Sequence, residues 1–463
     1  MTTHIKPKLL SCYMAVMFET NSVFAEKEEM SPEKALLIGR AIGRSFKRVT
    51  IGTDANPSSG MIKNSVVTGL LSVGVNVKDV GIAPAPAVAL SSPSHCDCVV
   101  MVGEPDEQGM ISRIDIMDSD GSALSREQIK QLMKTAESER RLPDYKGVGT
   151  LQYCDSVISD YIHSAIERHS KCDDSPVILD CGCGCTSLCA PQILAALGAD
   201  LTTINAQSDT KYSSRPPGVK EKDLSVLAGI VTSNAGSIGI ALNGNGTRLA
   251  LIDEGGNYVE PDRMIALVLL YLNPASLVIP VNISAVVDDA LNDLIGEGIN
   301  TPHKAHSEYR IIRTDDDLES VVRVMKENNI DVGALSDGTL IFSNISMCPD
   351  AVNTAAILTK MSGDNSIRNL LSSFPRYTVL KDSIRHTGNQ DMFAKKLTEK
   401  LKEVDTEEVW QVDGWRVDMN YGWFTVSRNR SNTERIDITA ESKDRAYAVS
   451  MMELAKEIVH SCV

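Results

Sequence analysis

Apolar and polar residues recur along this chain with two alternating periods. "KRVTIGTD" is a short apolar run of the kind that forms a buried strand. "SGMIKNSVVTGLLSVG" repeats apolar residues at spacings of three and four, which predicts a helix. "NVKDVGIAP" and "CDCVVMVGEP" read as the next strands. Such β-α-β alternation builds a parallel or mixed sheet covered by helices. The pattern then restarts. "DYIHSAIERHS" predicts a helix, "PVILDCGCG" a strand, "CAPQILAALGA" a helix, "LTTINA" a strand and "LSVLAGIVTSN" a helix. "GIALNGNGTRLALID" follows as strand, tight Gly/Asn turn and strand.

A third unit opens at "PDRMIALVLLYL", has strands at "SLVIPVNIS" and "DVGALSDGTLIFS", and closes with the helix "DAVNTAAILTKM". The end differs. "DGWRVDMNYGWFTVSRNRSNTERIDITAES" alternates like antiparallel strands, and "KDRAYAVSMMELAKEIVHS" is helical. The fold class expected is α/β: three similar mixed-sheet α/β domains plus a smaller C-terminal α+β domain. The domains are placed at 1–150, 151–255, 256–370 and 371–463. A chain of 463 residues exceeds one ordinary core, in keeping with several domains.

Charge narrows the partners. A net charge of −15 repels phosphate backbones, so a nucleic-acid partner is not expected. Eleven cysteines, odd in number and scattered over a long chain, suit a reducing cytoplasm better than a disulfide scaffold. No window of about 18 uninterrupted apolar residues occurs, so no membrane helix is expected. "KPKLLSCYMAVMFETNSVFAEKEE" has some features of a secretory leader, but Ser11, Cys12 and Glu19 interrupt its apolar run. It is read as a buried strand and a connector. "CGCGCTSLC" gathers Cys181, Cys183, Cys185 and Cys189 without the spacing of zinc or iron–sulfur sites, so a turn with small buried thiols is expected. Cys96 and Cys98 are read as core residues, and His303 and His306 as loop residues.

The order of motifs resembles the α-D-phosphohexomutases: the phosphomannomutases, phosphoglucomutases and phosphoglucosamine mutases. "IGTDANPSSGMIKNSVVTGLLSVGVNVKDVGIAPAPA" is similar to their opening domain, and "VILDCGCGCTSLCAPQILAALGADLTTINAQSD" to the start of their second. "SDGSALSREQ", "IDEGGNYVEPDRMIALV" and "DGWRVDMNYGWFTV" resemble further family segments. The resemblance implies four domains around a central cleft, each contributing one loop. It implies a phosphoserine in the first domain that exchanges its phosphoryl group with a phosphosugar. A magnesium ion held by aspartates of the second domain would sit beside it, neutralising charge during transfer.

The four loops depart from that pattern unequally. A gapless count from "DGS" puts Pro105 at the family's nucleophile and Asp106 at the neighbouring histidine, and Glu104 and Glu107 add charge that repels phosphate. A family lysine aligns with Asp115, and a family arginine with Asn56. Ser94–His95 lies before the strand and is read as chance; Ser112 and Ser122 remain formal candidates. In the metal loop, the family's three aspartates align with Asn243, Asn245 and Thr247, while Arg248 is kept. Magnesium prefers charged hard oxygens, so no metal cofactor is expected. In the third loop Leu335 aligns with the sugar-recognising glutamate, with Asp337 as a substitute. The fourth loop keeps Arg428 or Arg430, Ser431, Asn432 and Thr433, which resemble the family's phosphate grip.

The expectation is a catalytically degenerate homologue that binds a phosphosugar in the cytoplasm. Two rivals stand beside it. One is an active intramolecular phosphotransferase of the phosphomannomutase or phosphoglucosamine mutase type with a displaced nucleophile. The other is a ligand-free partner, acting as a homo-oligomer or paired with an active mutase.

Overall fold

The computed structural model describes residues 17–19, 22–26, 30–91, 96–103, 111–135, 143–172, 174–209, 211, 214–293, 310–404, 406–412, 414–428 and 434–463. It divides into two compact units: Met1–Met264 with Asp331–Gly333 and Gly338–Asn369, and Ile265–Ile330 with Ala334–Asp337 and Leu370–Val463.

The first unit holds a seven-stranded mixed sheet. Arg48–Thr53 runs parallel to Cys98–Gly103 and Asn76–Ile82, and Ile111–Asp118 is antiparallel to Cys98–Gly103. Strands Met17–Glu19 and Ser22–Glu26 continue one edge, and Leu151–Tyr153 forms the other. Helices Pro32–Ser45 and Pro57–Leu71 cross closely because each presents a glycine. A Cβ on Gly39 would stand 2.2 Å from the Val66 carbonyl oxygen, and one on Gly69 2.1 Å from that of Leu36.

A five-stranded sheet follows in the same unit. Ser175–Asp180 lies between Ala199–Ile204 and Ile238–Leu242, parallel to both. Ile238–Leu242 turns back antiparallel into Leu249–Ile252, with Leu242 opposite Leu249, so the anticipated strand–turn–strand is formed. Ile178, Ala241, Ala250 and Ile252 cluster with Leu227 and Val231 of helix Ser225–Ser233. Helix Ala351–Asp364 also packs on this sheet. These central strands are therefore nearly continuous apolar runs rather than alternating ones.

In the second unit, Ser276–Pro280 pairs in parallel with Arg310–Thr314. The C-terminal sheet is wholly antiparallel, in the order Thr378–Arg385, Arg435–Ser442, Gly422–Arg428, Trp415–Met419, Glu408–Gln411. Its Val417, Phe424, Val426, Ile438 and Ala440 form a core with residues of helices Gln390–Leu401 and Arg445–Cys462. One expected strand is two: "DVGALSDGTLIFS" forms Val332–Ala334 and Leu340–Phe342, separated by a turn in which Gly338 takes φ +89°. Among the described residues, no helix is long and apolar enough to cross a membrane.

Candidate functional site

The turn between Ile238–Leu242 and Leu249–Ile252 is closed by its own side chains. The Asn243 Oδ1 accepts from the backbone N–H of Thr247 at 2.9 Å and of Arg248 at 3.0 Å. The Asn243 Nδ2 donates to Asn245 Oδ1 at 2.9 Å and to Thr247 Oγ1 at 3.1 Å. The Thr247 hydroxyl donates to Asn245 Oδ1 at 2.8 Å. Amide hydrogens of Asn243 thus lie between the three positions, where they supply both neighbours with a donor.

The turn is also pinned from outside. Backbone N–H groups of Ala85, Cys185 and Ala351 donate to the carbonyls of Asn245, Gly244 and Gly246 at 2.9, 3.2 and 3.0 Å. Gly246 has φ +77°, and a Cβ there would stand 2.9 Å from both Pro84 and Thr186 side chains. Beneath the strand end, buried Arg215 donates through Nε to Asp180 Oδ2 at 2.7 Å and through Nη2 to the Leu242 carbonyl at 2.7 Å. Its Nη1 reaches the Gly218 carbonyl at 2.7 Å.

Two further groups crowd the same place. Asp54 ends the strand Arg48–Thr53, is buried, and its N–H donates to the Val102 carbonyl at 3.0 Å. It lies beside Gly103, from which residues 104–110 continue. The Cys185 thiol donates to the Gly244 carbonyl at 3.0 Å. Burial, then the neighbouring Asp54 carboxylate and Cys189 thiol, push that thiol well above its ordinary range, and burial first of all pushes Cys181 up to about 12. These thiols are inert packing groups rather than thiolate ligands. No cluster of His, Cys, Asp or Glu among the described residues could hold a metal.

The other loops are less completely described. Pro105 and Asp106 lie outside the described residues, as do Ser94, His95, His303, His306, Arg430, Ser431, Asn432 and Thr433. Arg428 ends its strand exposed, opposite Ile436. Asp115 pairs with Arg113 at 2.6 Å. Asn56 caps helix Pro57–Leu71, accepting from the Ser58 N–H at 3.1 Å. Ser112 is buried, and the Ser122 hydroxyl donates to Asp120 at 2.5 Å. Leu335 is half-buried and Asp337 exposed. Between them Ser336 is bound to Asp316: its N–H donates to Oδ1 at 3.1 Å and its hydroxyl to Oδ2, which also accepts from Asn282 Nδ2 at 3.0 Å.

Comparison with known proteins gives this arrangement a family. Residues 17–142 match the model of phosphoglucomutase/phosphomannomutase alpha/beta/alpha domain I, and residues 152–256 that of domain II. The chain is 28% identical over 436 residues to the "Probable phosphoglucosamine mutase" of Methanocella arvoryzae, covering 94% of this chain and 95% of that one. It is 29% identical over 451 residues to the protein of that name from Pyrococcus abyssi, covering 94% and 96%. The phosphoglucomutase/phosphomannomutase family protein of Burkholderia thailandensis shares the fold with a TM-score of 0.81 at 18% identity, over 96% of this chain and 97% of that one.

The chain belongs to the α-D-phosphohexomutase family.

In this phosphohexomutase-family chain the three side chains of the turn 243–247 satisfy one another. The sequence marks those three residues, but not what surrounds them. Asp54, Arg215 with Asp180, and the Asp316 brace on the third loop come from the structure. Asp54 carried a usable signal, since "GTD" puts a carboxylate at the C-terminal end of a buried strand, where ligands of open α/β sheets bind. Arg215, in "SSRPPG", carried none: its partner Asp180 is 35 positions away.

Proposed function

We propose that this phosphohexomutase-family chain binds a phosphohexose without performing metal-assisted phosphoryl transfer. The observation that carries this reading is the closed hydrogen-bond set of Asn243, Asn245 and Thr247. A magnesium ion needs outward-facing charged oxygens to offset its lost water. Here Asn243 Oδ1 already accepts two backbone N–H groups, and its Nδ2 donates to the oxygens of Asn245 and Thr247. The residues present do not fit that ion.

Two sequence features agree. Pro105, aligned with the nucleophile, has no hydroxyl, and acidic neighbours disfavour a phosphoryl donor. Arg428, Arg430, Ser431, Asn432 and Thr433 supply the donors of a phosphate grip, so ligand binding is kept where transfer is not. The ten cysteines seen free of disulfides suit a reducing cytoplasm.

A second reading is an active amino-sugar phosphate mutase with a different nucleophile. It is favoured by the names of the curated relatives that span nearly the whole chain. Phosphorus NMR of the pure protein with magnesium, a hexose 1,6-bisphosphate and hexose 1-phosphates or glucosamine 1-phosphate separates the two. Broadening or shifting of the ligand resonance without turnover, lost in Arg428→Ala/Arg430→Ala, is the expected result. Magnesium-dependent formation of a 6-phosphate would overturn it.

A further inference from the structure

The C-terminal sheet has two faces of opposite character. One packs on the helices Gln390–Leu401 and Arg445–Cys462. The strand register sets the other: Glu408, Asp418, Trp423 and Glu441 stand opposite one another in one row across four strands, and Trp410, Arg416 and Thr425 in the next. A solvated sheet face would carry small polar residues or flexible charges. This one carries two tryptophans, one of them almost wholly buried. Part of it is covered by the segment 281–285 of the same unit. Arg416 Nη1 donates to the Val281 carbonyl at 2.6 Å, and the Ala285 N–H donates to Glu441 Oε1 at 2.8 Å.

The remainder is an open cleft of about 810 Å³, within the size range of small-molecule sites. Trp410 lines it, as does the small exposed part of Trp423. Tyr421 and Tyr447 stand at its edge, stacked with centroids 4.6 Å apart although they are 63% and 45% exposed. The cleft lies at the Gly422 end of strand Gly422–Arg428. Arg428 is at the opposite end, about 20 Å away at ~3.3 Å per residue.

Charge decides what could enter. Every basic group lining the cleft is already held by a carboxylate. Arg313 binds Asp288 at 2.7 and 2.9 Å, Arg416 binds Asp418 at 2.9 Å, and Lys443 binds Asp289 at 2.7 Å. Arg416 also lies over the Trp423 ring at 4.4 Å. Glu407 and Glu408 line the cleft exposed, with no side-chain partner among the described residues. An anion, a sugar phosphate included, would meet spent cations and free carboxylates. A cation would meet two carboxylates and the rings of Trp410, Tyr421 and Tyr447, which attract it both by charge and through the ring quadrupoles.

We propose that this cleft is a second ligand site, separate from the phosphate grip, which takes a small organic cation: an amine or guanidine on a carbon ring or chain. The carbon body lies against Trp410 and Tyr421, and the charged end faces Glu407 and Glu408.

The chain offers its own probe, because its three tryptophans all lie in this sheet, at 410, 415 and 423. The full-length protein is titrated with glucosamine and benzylamine while tryptophan emission is followed. N-acetylglucosamine and benzyl alcohol serve as neutral counterparts. At least one cation should give a saturable change, with its neutral counterpart weaker by about tenfold or more. The Glu407→Gln/Glu408→Gln double variant, altered only at exposed positions, should weaken that cation about tenfold, and Tyr421→Ala should weaken it too. No saturation by any of the cations up to about 10 mM overturns the proposal. So does equal binding of the neutral counterpart, or binding unchanged in the double variant.

Discussion

One short strand, Leu249–Ile252, ends in two turns that solve the same problem with different chemistry. At its start, Asn243 Oδ1 gathers the N–H groups of Thr247 and Arg248. At its finish, Asp253 Oδ1 gathers those of Gly255 and Asn257 at 2.8 and 2.9 Å. The oxygen does equal work in both. The second atom of each side chain does not. The Asp253 hub accepts on both oxygens, and Asn257 Nδ2 supplies the donors at 3.0 and 3.1 Å. The Asn243 hub donates with its second atom, and its neighbours Asn245 and Thr247 accept. A carboxylate hub needs donors or a cation around it; an amide hub needs acceptors. The first turn is complete as a neutral structure, and a negative charge placed there would call for a cation.

The largest effect is expected from the support that lies beneath the first turn. Arg215 and Asp180 are both nearly fully buried, with side chains 4% and 3% exposed. Arg215→Met leaves Asp180 charged and unpaired, and frees the Leu242 carbonyl where the turn begins. A loss of about 3–5 kcal/mol is expected in urea unfolding. A loss under ~1 kcal/mol would mean that the turn's own bonds, rather than this buried cation, hold the strand end.

Next comes Asn243→Asp. It removes both donors from the hub and leaves the new carboxylate facing the Asn245 oxygen and the Thr247 hydroxyl, whose proton is already given to Asn245. About 1–3 kcal/mol should be lost in a chelator-containing buffer. In the triple variant Asn243→Asp/Asn245→Asp/Thr247→Asp that loss should be recovered by magnesium. Saturation at ~100 times Kd returns about 2.7 kcal/mol, read as a magnesium-dependent rise in Tm that the parent protein lacks. An equal rise in the parent would refute the reading of the turn as closed to metal.

How much of this could be foreseen from residues alone follows the range of the interactions. Periodicity located helices such as Pro57–Leu71 and Arg445–Cys462 and the hairpin Ile238–Ile252, because those patterns are local. The stretch 332–342 reads as one strand because its apolar ends are alike, but Gly338 at φ +89° breaks it into two. Motif order points to the family, and the neutral residues at 243, 245 and 247 can be read directly. Their mutual hydrogen bonds cannot, since an asparagine is donor and acceptor at once and only geometry says which end faces inward. The Arg215–Asp180 and Asp316–Ser336 contacts, and the aromatic row on the C-terminal sheet, depend on strand register across distant segments.

A smaller effect is expected at Gly246. Alanine there must hold φ near +77° and press against Pro84 and Thr186, with no flexible chain end to give way. The expected loss is about 1–2 kcal/mol in the same unfolding assay. The restored magnesium response of the triple variant should shrink when Gly246→Ala is added, because the backbone course that aims the three side chains is disturbed.

The smallest effect is expected at the other end of the strand. Asp253→Asn keeps an oxygen that can accept from the N–H groups of Gly255 and Asn257. Its new amide hydrogens face Asn257 Nδ2, and a half-turn of the Asn257 side chain brings that residue's oxygen round to receive them. One donor–acceptor pair is exchanged for another, so the loss should stay below about 1 kcal/mol. The reverse change in kind at residue 243 is harder to accommodate. Turning Asn257 gives up its single bond to Asp253 Oδ1, whereas turning Asn245 gives up the two bonds its oxygen accepts from the Thr247 hydroxyl and backbone. If the two single variants proved equally costly without metal, the donor count at residue 243 would not be what closes the turn.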